Sequence, residues 1–104
     1  MPLIMRFKVG DRSMEPTFYS EDCIIARKYI FKPKEGDIVI LKHPKKNIKI
    51  IKRIVKIDKD GYSVEGDNRA NSFDSRKFGP VKRNMIIAKV MSRINRSKSK
   101  MCVH

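Results

Sequence analysis

A chain of 104 residues suffices for one domain with one core, because domains commonly run to about 100–150 residues, and it leaves no room for a separate binding module beside a catalytic one. Lysine and arginine outnumber the acids 25 to 11, a formal net charge of +14, which points to nucleic acid, an anionic membrane surface or an acidic partner, or else to a surface merely dressed in lysine. Cys23 in an apolar run, Cys102 in a polar stretch and the isolated His43 and His104 match neither a disulfide framework nor a metal site by spacing; no metal or other cofactor is expected, and a reducing compartment is.

The chain opens with "MPLIMRFKV", an arginine at position 6 and no long apolar segment behind it. It is read neither as a signal peptide nor as a membrane span, which takes about 20 mostly apolar residues. Next comes "GDRSMEPTF", residues 10–18, which fits no helix or strand period. Ser13 is expected there at an exposed turn, where a serine hydroxyl ordinarily bonds nearby backbone.

Five β-branched runs follow, "DCIIARKYI" (22–30), "DIVILKH" (37–43), "NIKIIKRIVKI" (47–57), "GYSVEG" (61–66) and "NMIIAKVMSRI" (84–94), broken by "KPKEG", "HPKKN", "DKDG" and "FGPVKRN". That pattern predicts an all-β fold. The last run also spaces Met85, Ala88 and Met91 at helical intervals, but its flanking proline and paired isoleucines favour strand. Residues 1–94 are read as one β-domain and 95–104 as a basic, disordered tail.

One strand carries an anomaly. In "IKIIKRIVK", residues 48–56, side chains alternate between faces, and Lys52 shares its face with Ile48, Ile50 and Ile54. Lys52 is therefore expected to point to the core side, although Ile51 and Val55 on the face of Lys49 and Arg53 blur the alternation. The competing reading is a lysine that returns its ammonium to water at a sheet edge. A desolvated lysine loses preference for its charged form and becomes a base, able to take the proton of a serine hydroxyl in a Ser-Lys pair.

"SMEPTF", "DCIIARK", "EGDIVILKHP", "IKRI" and "GDNRANSFDSRKFGPV" resemble, in this order, the sequence boxes of the signal peptidase I family of Ser-Lys serine proteases. The resemblance spans most of residues 10–90. In that family the serine before Met-x-Pro is the nucleophile and the lysine of Lys-Arg its general base, roles that fall by resemblance on Ser13 and Lys52 as the catalytic pair. Ser72 matches the family serine that hydrogen-bonds the lysine amine. Asp74 and Arg76, with Arg53 and Asp67, match a charged cluster that holds this loop against the catalytic strand. The fold implied is a partly closed, coiled, barrel-like β-sheet shared with self-cleaving repressors.

Departures from the family pattern are expected to matter. The membrane enzymes carry N-terminal spans, a larger second β-domain and a Gly-x-Pro-Gly-Asp stretch after Lys-Arg. Here "IVKIDKDGYSVEGDN" follows Arg53, as in a bare catalytic core. Asp11 stands where bacterial signal peptidases place a small or hydroxyl residue near the oxyanion, so the oxyanion hole would rest on backbone N–H groups, that of Ser13 included.

The short form with "KHP" before the Lys-Arg strand is similar to the nickel-type superoxide dismutase maturation protease group. The resemblance implies a cytoplasmic serine endopeptidase without cofactors that removes an N-terminal propeptide or leader from a precursor protein or peptide, with nickel-type superoxide dismutase as one such precursor. Met14 and Phe18 are candidates for the pockets that take small substrate side chains, with plain core packing as the alternative for both. A minimal signal peptidase in peripheral contact with an anionic membrane and a non-catalytic nucleic-acid-binding β-module are the other readings. The latter is disfavoured by the lack of an aromatic-rich strand.

Overall fold

The structure is a computed structural model that describes residues 4–10, 12–29, 32–68, 70 and 75–94. Six strands, β1 (Ile4–Lys8), β2 (Cys23–Lys28), β3 (Ile38–Lys42), β4 (Lys49–Asp58), β5 (Gly61–Glu65) and β6 (Ile86–Arg93), form one sheet in the order β1-β2-β6-β3-β4-β5. Every pairing is antiparallel, and β1 and β5 remain as free edges of an unclosed sheet. The all-β fold is as expected; a one-turn helix α1 (Ser75–Phe78) and a 3₁₀ turn (Arg83–Met85) precede β6.

β1 was not among the expected strands. Its residues alternate, with Ile4, Arg6 and Lys8 exposed and Met5 and Phe7 half-buried against the core, a period-2 signal that is short and lies at the start of the chain, where no turn residues bound it on the N-terminal side. The final run is strand, not helix. Met91 is 53% exposed while Ala88 and Val90 are buried, so the spacing of Met85, Ala88 and Met91 marks no common apolar face.

Register shifts fall between Ile25 and Ala26 in β2, Ile40 and Leu41 in β3, and Ile54 and Lys56 in β4. Such irregularities strengthen local twist, and a strongly twisted sheet can bury both faces. The core accordingly divides into two clusters. One gathers Ile24, Ala26, Ile40, Ile51, Ala88 and Val90 with Val9, Met14 and Phe18 from the loop after β1; the other gathers Val39, Leu41, Ile54, Val64, Val81 and Ile86. Ile51 and Ile54 belong to different clusters, so β4 has a buried face on each side, which explains its blurred alternation.

Cys23 is fully buried at the start of β2, and Cys102 lies outside the described residues. The tail expected over 95–104 also lies outside the described residues.

Candidate active site

The loop between β1 and β2 is tied at its base. Val9 N–H donates to the Asp22 carbonyl and Glu21 N–H to the Val9 carbonyl, each at 2.8 Å. The Asp22 carboxylate, 2% exposed, accepts from Tyr19 N–H at 2.8 Å and from Arg93 Nη1 at 3.4 Å. Within the loop, Glu15 N–H donates to the Arg12 carbonyl at 3.2 Å and Phe18 N–H to the Met14 carbonyl at 3.0 Å, with a cis peptide at Glu15–Pro16 between them.

Ser13 sits in this turn but is only 4% exposed. The turn is as expected and the exposure is not. Met14, fully buried, and Phe18 sink into the first cluster and draw the loop down onto the sheet, where Asn68 N–H donates to the Ser13 carbonyl at 2.8 Å and Asn68 Nδ2 to the Arg12 carbonyl at 3.0 Å. Both candidate pocket residues are thus core residues in their packing. The apolar cleft wall is supplied instead by Ile48 and Ile50.

Lys52 lies on β4 opposite Val39 and is 2% exposed. Its strand runs between β3 and β5, so this lysine is not at a sheet edge with its head in water. Ser13 and Lys52, distant in sequence, line one cleft of about 750 Å³ together with Arg12, Ser20, His43, Lys45 and Lys46. Among the described residues no buried side-chain nitrogen or oxygen lacks a hydrogen-bond partner.

Arg53, next along β4, meets Asp67 through two parallel bonds, Nε to Oδ1 and Nη2 to Oδ2, both at 2.8 Å. Its Nη1 donates to the Gly36 carbonyl at 3.1 Å. Thr17 Oγ1 also donates to Asp67, and Asp67 N–H donates to Met14 Sδ at 3.4 Å. The Arg53 bonds hold the Asp67 carboxyl below its ordinary range, with help from Thr17 and against the opposing effect of burial. Asp67 therefore ties the Ser13 loop and the Lys52 strand to the segment after β5. Arg76 is exposed on α1, whereas Ser72, Asp74 and Asp11 lie outside the described residues.

The loop between β3 and β4 was not expected at the site. "HPKKN" reads as turn punctuation and "KHP" as a likeness to the maturation protease group, with no role for His43, yet His43 lines the cleft. Its Nδ1 accepts from Lys45 N–H at 2.9 Å and Lys46 N–H at 3.0 Å, and its pKa lies below the ordinary value through desolvation and then the charges of Lys46, Lys52 and Lys45. A histidine followed within three residues by two unconstrained N–H donors was the available signal. The described residues include no group of three His, Cys, Asp or Glu placed to hold a metal, and no helix among them is long and apolar enough to cross a membrane.

Against known proteins, the model of the family described as signal peptidase, peptidase S26, matches residues 1–57 and 55–95. The chain is similar to mitochondrial inner membrane protease subunit 2 of Schizosaccharomyces pombe, 33% identical over 109 aligned positions that cover 81% of this chain and 61% of that protein. It is also similar to mitochondrial inner membrane protease subunit 1 of Xenopus tropicalis, 29% identical over 79% of this chain and 64% of that one. With signal peptidase I of Buchnera aphidicola it shares 35% identity over 56% of this chain and 24% of the other. The chain spans about three fifths of the length of the two inner membrane protease subunits.

Proposed function

Since the chain belongs to the signal peptidase (peptidase S26) family, we propose that it is a serine endopeptidase that removes an N-terminal leader or propeptide from a precursor, with Ser13 as nucleophile and Lys52 as general base. The observation that carries this reading is the lining of one cleft by both residues, with Lys52 only 2% exposed. Burial penalises the ammonium and favours the neutral amine. Lys52 Nζ then takes the proton of Ser13 Oγ–H as the oxygen attacks the scissile carbonyl, and the resulting ammonium returns it to the leaving amine. Water attacks the Ser13 ester by the same route, regenerating the hydroxyl and releasing the new carboxylate.

The developing oxyanion is assigned to backbone N–H donors, that of Ser13 among them. Ser72 would orient the Lys52 amine, and Asp74 and Arg76 would extend the clamp that Arg53 and Asp67 form. Met14 and Phe18 act from beneath, fixing the cleft floor, while Ile48 and Ile50 present apolar wall to the substrate. Nickel-type superoxide dismutase is the specific precursor suggested by "KHP" before the Lys-Arg strand.

A panel of precursor peptides, each with a small or a bulky residue before the cut, tests the reading by mass spectrometry of the products. Cleavage after alanine or glycine and refusal of leucine or phenylalanine are expected, without lipid. Equal cleavage of small and bulky twins contradicts the apolar wall. Strict dependence on anionic vesicles transfers the assignment to a membrane-recruited signal peptidase, a second reading favoured by the basic surface and by the inner membrane protease relatives.

A further inference from the structure

The cleft mouth has a charge pattern that the hydrolytic chemistry does not require. Among the described residues its lining includes the cations Arg12, Lys45 and Lys46 beside the Lys52 amine, and no carboxylate. Some cations of the surface are matched within the chain, Lys8 by Glu21 at 2.8 Å, Lys89 by Asp37 at 3.5 Å and Arg12 itself by Glu15 at 3.1 Å, while others such as Lys42 and Lys49 are in no ion pair among the described residues. Lys45 and Lys46 stand in none of the ion pairs among the described residues.

The backbone of these two lysines is also held in place. His43 N–H donates to the Ile48 carbonyl at 2.9 Å, closing the loop, and His43 Nδ1 accepts from both lysine N–H groups. An imidazole nitrogen that accepts carries no proton, so the proton of the neutral ring is assigned to Nε2. The backbone that presents Lys45 and Lys46 is thus ordered before any ligand arrives, which lowers the cost of binding.

We propose that Lys45 and Lys46, on the loop capped by His43, form a subsite for an acidic side chain of the peptide substrate next to the bond that is cut. This rests on the cleft of Ser13 and Lys52 being the active site. A polypeptide laid along the cleft passes under two ammonium groups that have no counter-charge among the described residues, and an Asp or Glu at the matching position supplies it. A neutral peptide leaves that field unanswered, and a basic one is repelled by it. Selection is therefore by charge at the mouth and by size at the Ile48 and Ile50 wall.

The test measures binding and cleavage with labelled peptide twins that carry Glu or Gln at successive positions around a small residue. Binding is read by fluorescence anisotropy on Ser13→Ala protein, so that turnover does not obscure it. At one position the Glu twin is expected to bind about tenfold tighter at low ionic strength, the effect of two exposed ion pairs, and to lose that advantage as salt screens them. Lys45→Gln with Lys46→Gln removes the preference. Lys32→Gln with Lys34→Gln, an equal charge change in a separate hollow, leaves it in place.

Equal affinity for the twins, no binding of either, or equal loss from both double substitutions overturns the subsite. The cleavage arm uses the unaltered protein and separates the two claims. Cleavage without Glu preference keeps the peptidase and removes the subsite, whereas Glu-selective binding with no cleavage keeps the subsite and removes the peptidase.

Discussion

Lys52 and Asp67 are two ionisable residues whose surroundings push them in different directions, the first away from its charged form and the second toward it. Lys52 has been taken out of water to 2% exposure, which works against its charge. Activity is therefore expected to rise with pH along a limb that reports the lysine in the free enzyme, and Lys52→Arg to be inactive although folded, because guanidinium stays protonated. An active Lys52→Arg protein places the base elsewhere. Its inward direction was legible from its alternation with Ile50 and Ile54; the His43 loop that shares its cleft was not, because loop placement depends on contacts that no local period encodes. Asp67 is held ionised by Arg53 first and Thr17 second. With its folded pKa below the unfolded value, the unfolded chain binds more protons in the interval between them. The stabilisation is complete above the ordinary carboxylate range and is lost as pH falls through the depressed value. Asp67→Asn should cost about 1–2 kcal/mol at neutral pH and flatten this acid limb in urea unfolding followed against pH. An unchanged limb assigns the acid sensitivity to another carboxylate.

Among elements, the hairpin of β4 and β5 carries Lys52 and Arg53 at one end and is closed at the other by a turn that only glycine fits. Gly61 has φ +123, and a Cβ there would lie 2.5 Å from the Val81 carbonyl oxygen, in the bridge that joins Tyr62 to Val81 by two backbone bonds at 2.9 and 2.8 Å. Gly61→Ala should destabilise the protein by about 2 kcal/mol or more, from strain at this backbone conformation and from the close approach. Urea unfolding checks it, and a change below about 0.5 kcal/mol contradicts the assigned tightness. "DKDG" announced this turn in the sequence, as the β-branched runs announced five strands. The pairing order was not legible. β6 inserts between β2 and β3 through contacts far apart in sequence, and neither strand period nor turn chemistry specifies a partner.

In the whole molecule, the sheet brings the loop after β1 and the middle of β4 to one cleft, while the net charge of +14 bathes that cleft in positive potential. Composition disclosed the charge but not where it stands uncompensated, since that depends on which acids fold beside which bases. The buried Asp22 with its Arg93 partner left no sequence signal for the same reason. Ser13 was singled out by motif order, yet its burial follows from Met14 and Phe18 entering the core, which a turn-like stretch gives no cause to expect. Cleavage of peptides in this cleft through Ser13 is tested most directly by comparing kcat/KM of the unaltered protein and Ser13→Ala on one small-residue precursor peptide, with melting followed on both. A loss of several orders of magnitude in turnover is expected, with melting shifted by no more than the loss of one buried hydrogen bond, about 1 kcal/mol. Near-normal turnover by folded Ser13→Ala protein would contradict cleavage through Ser13.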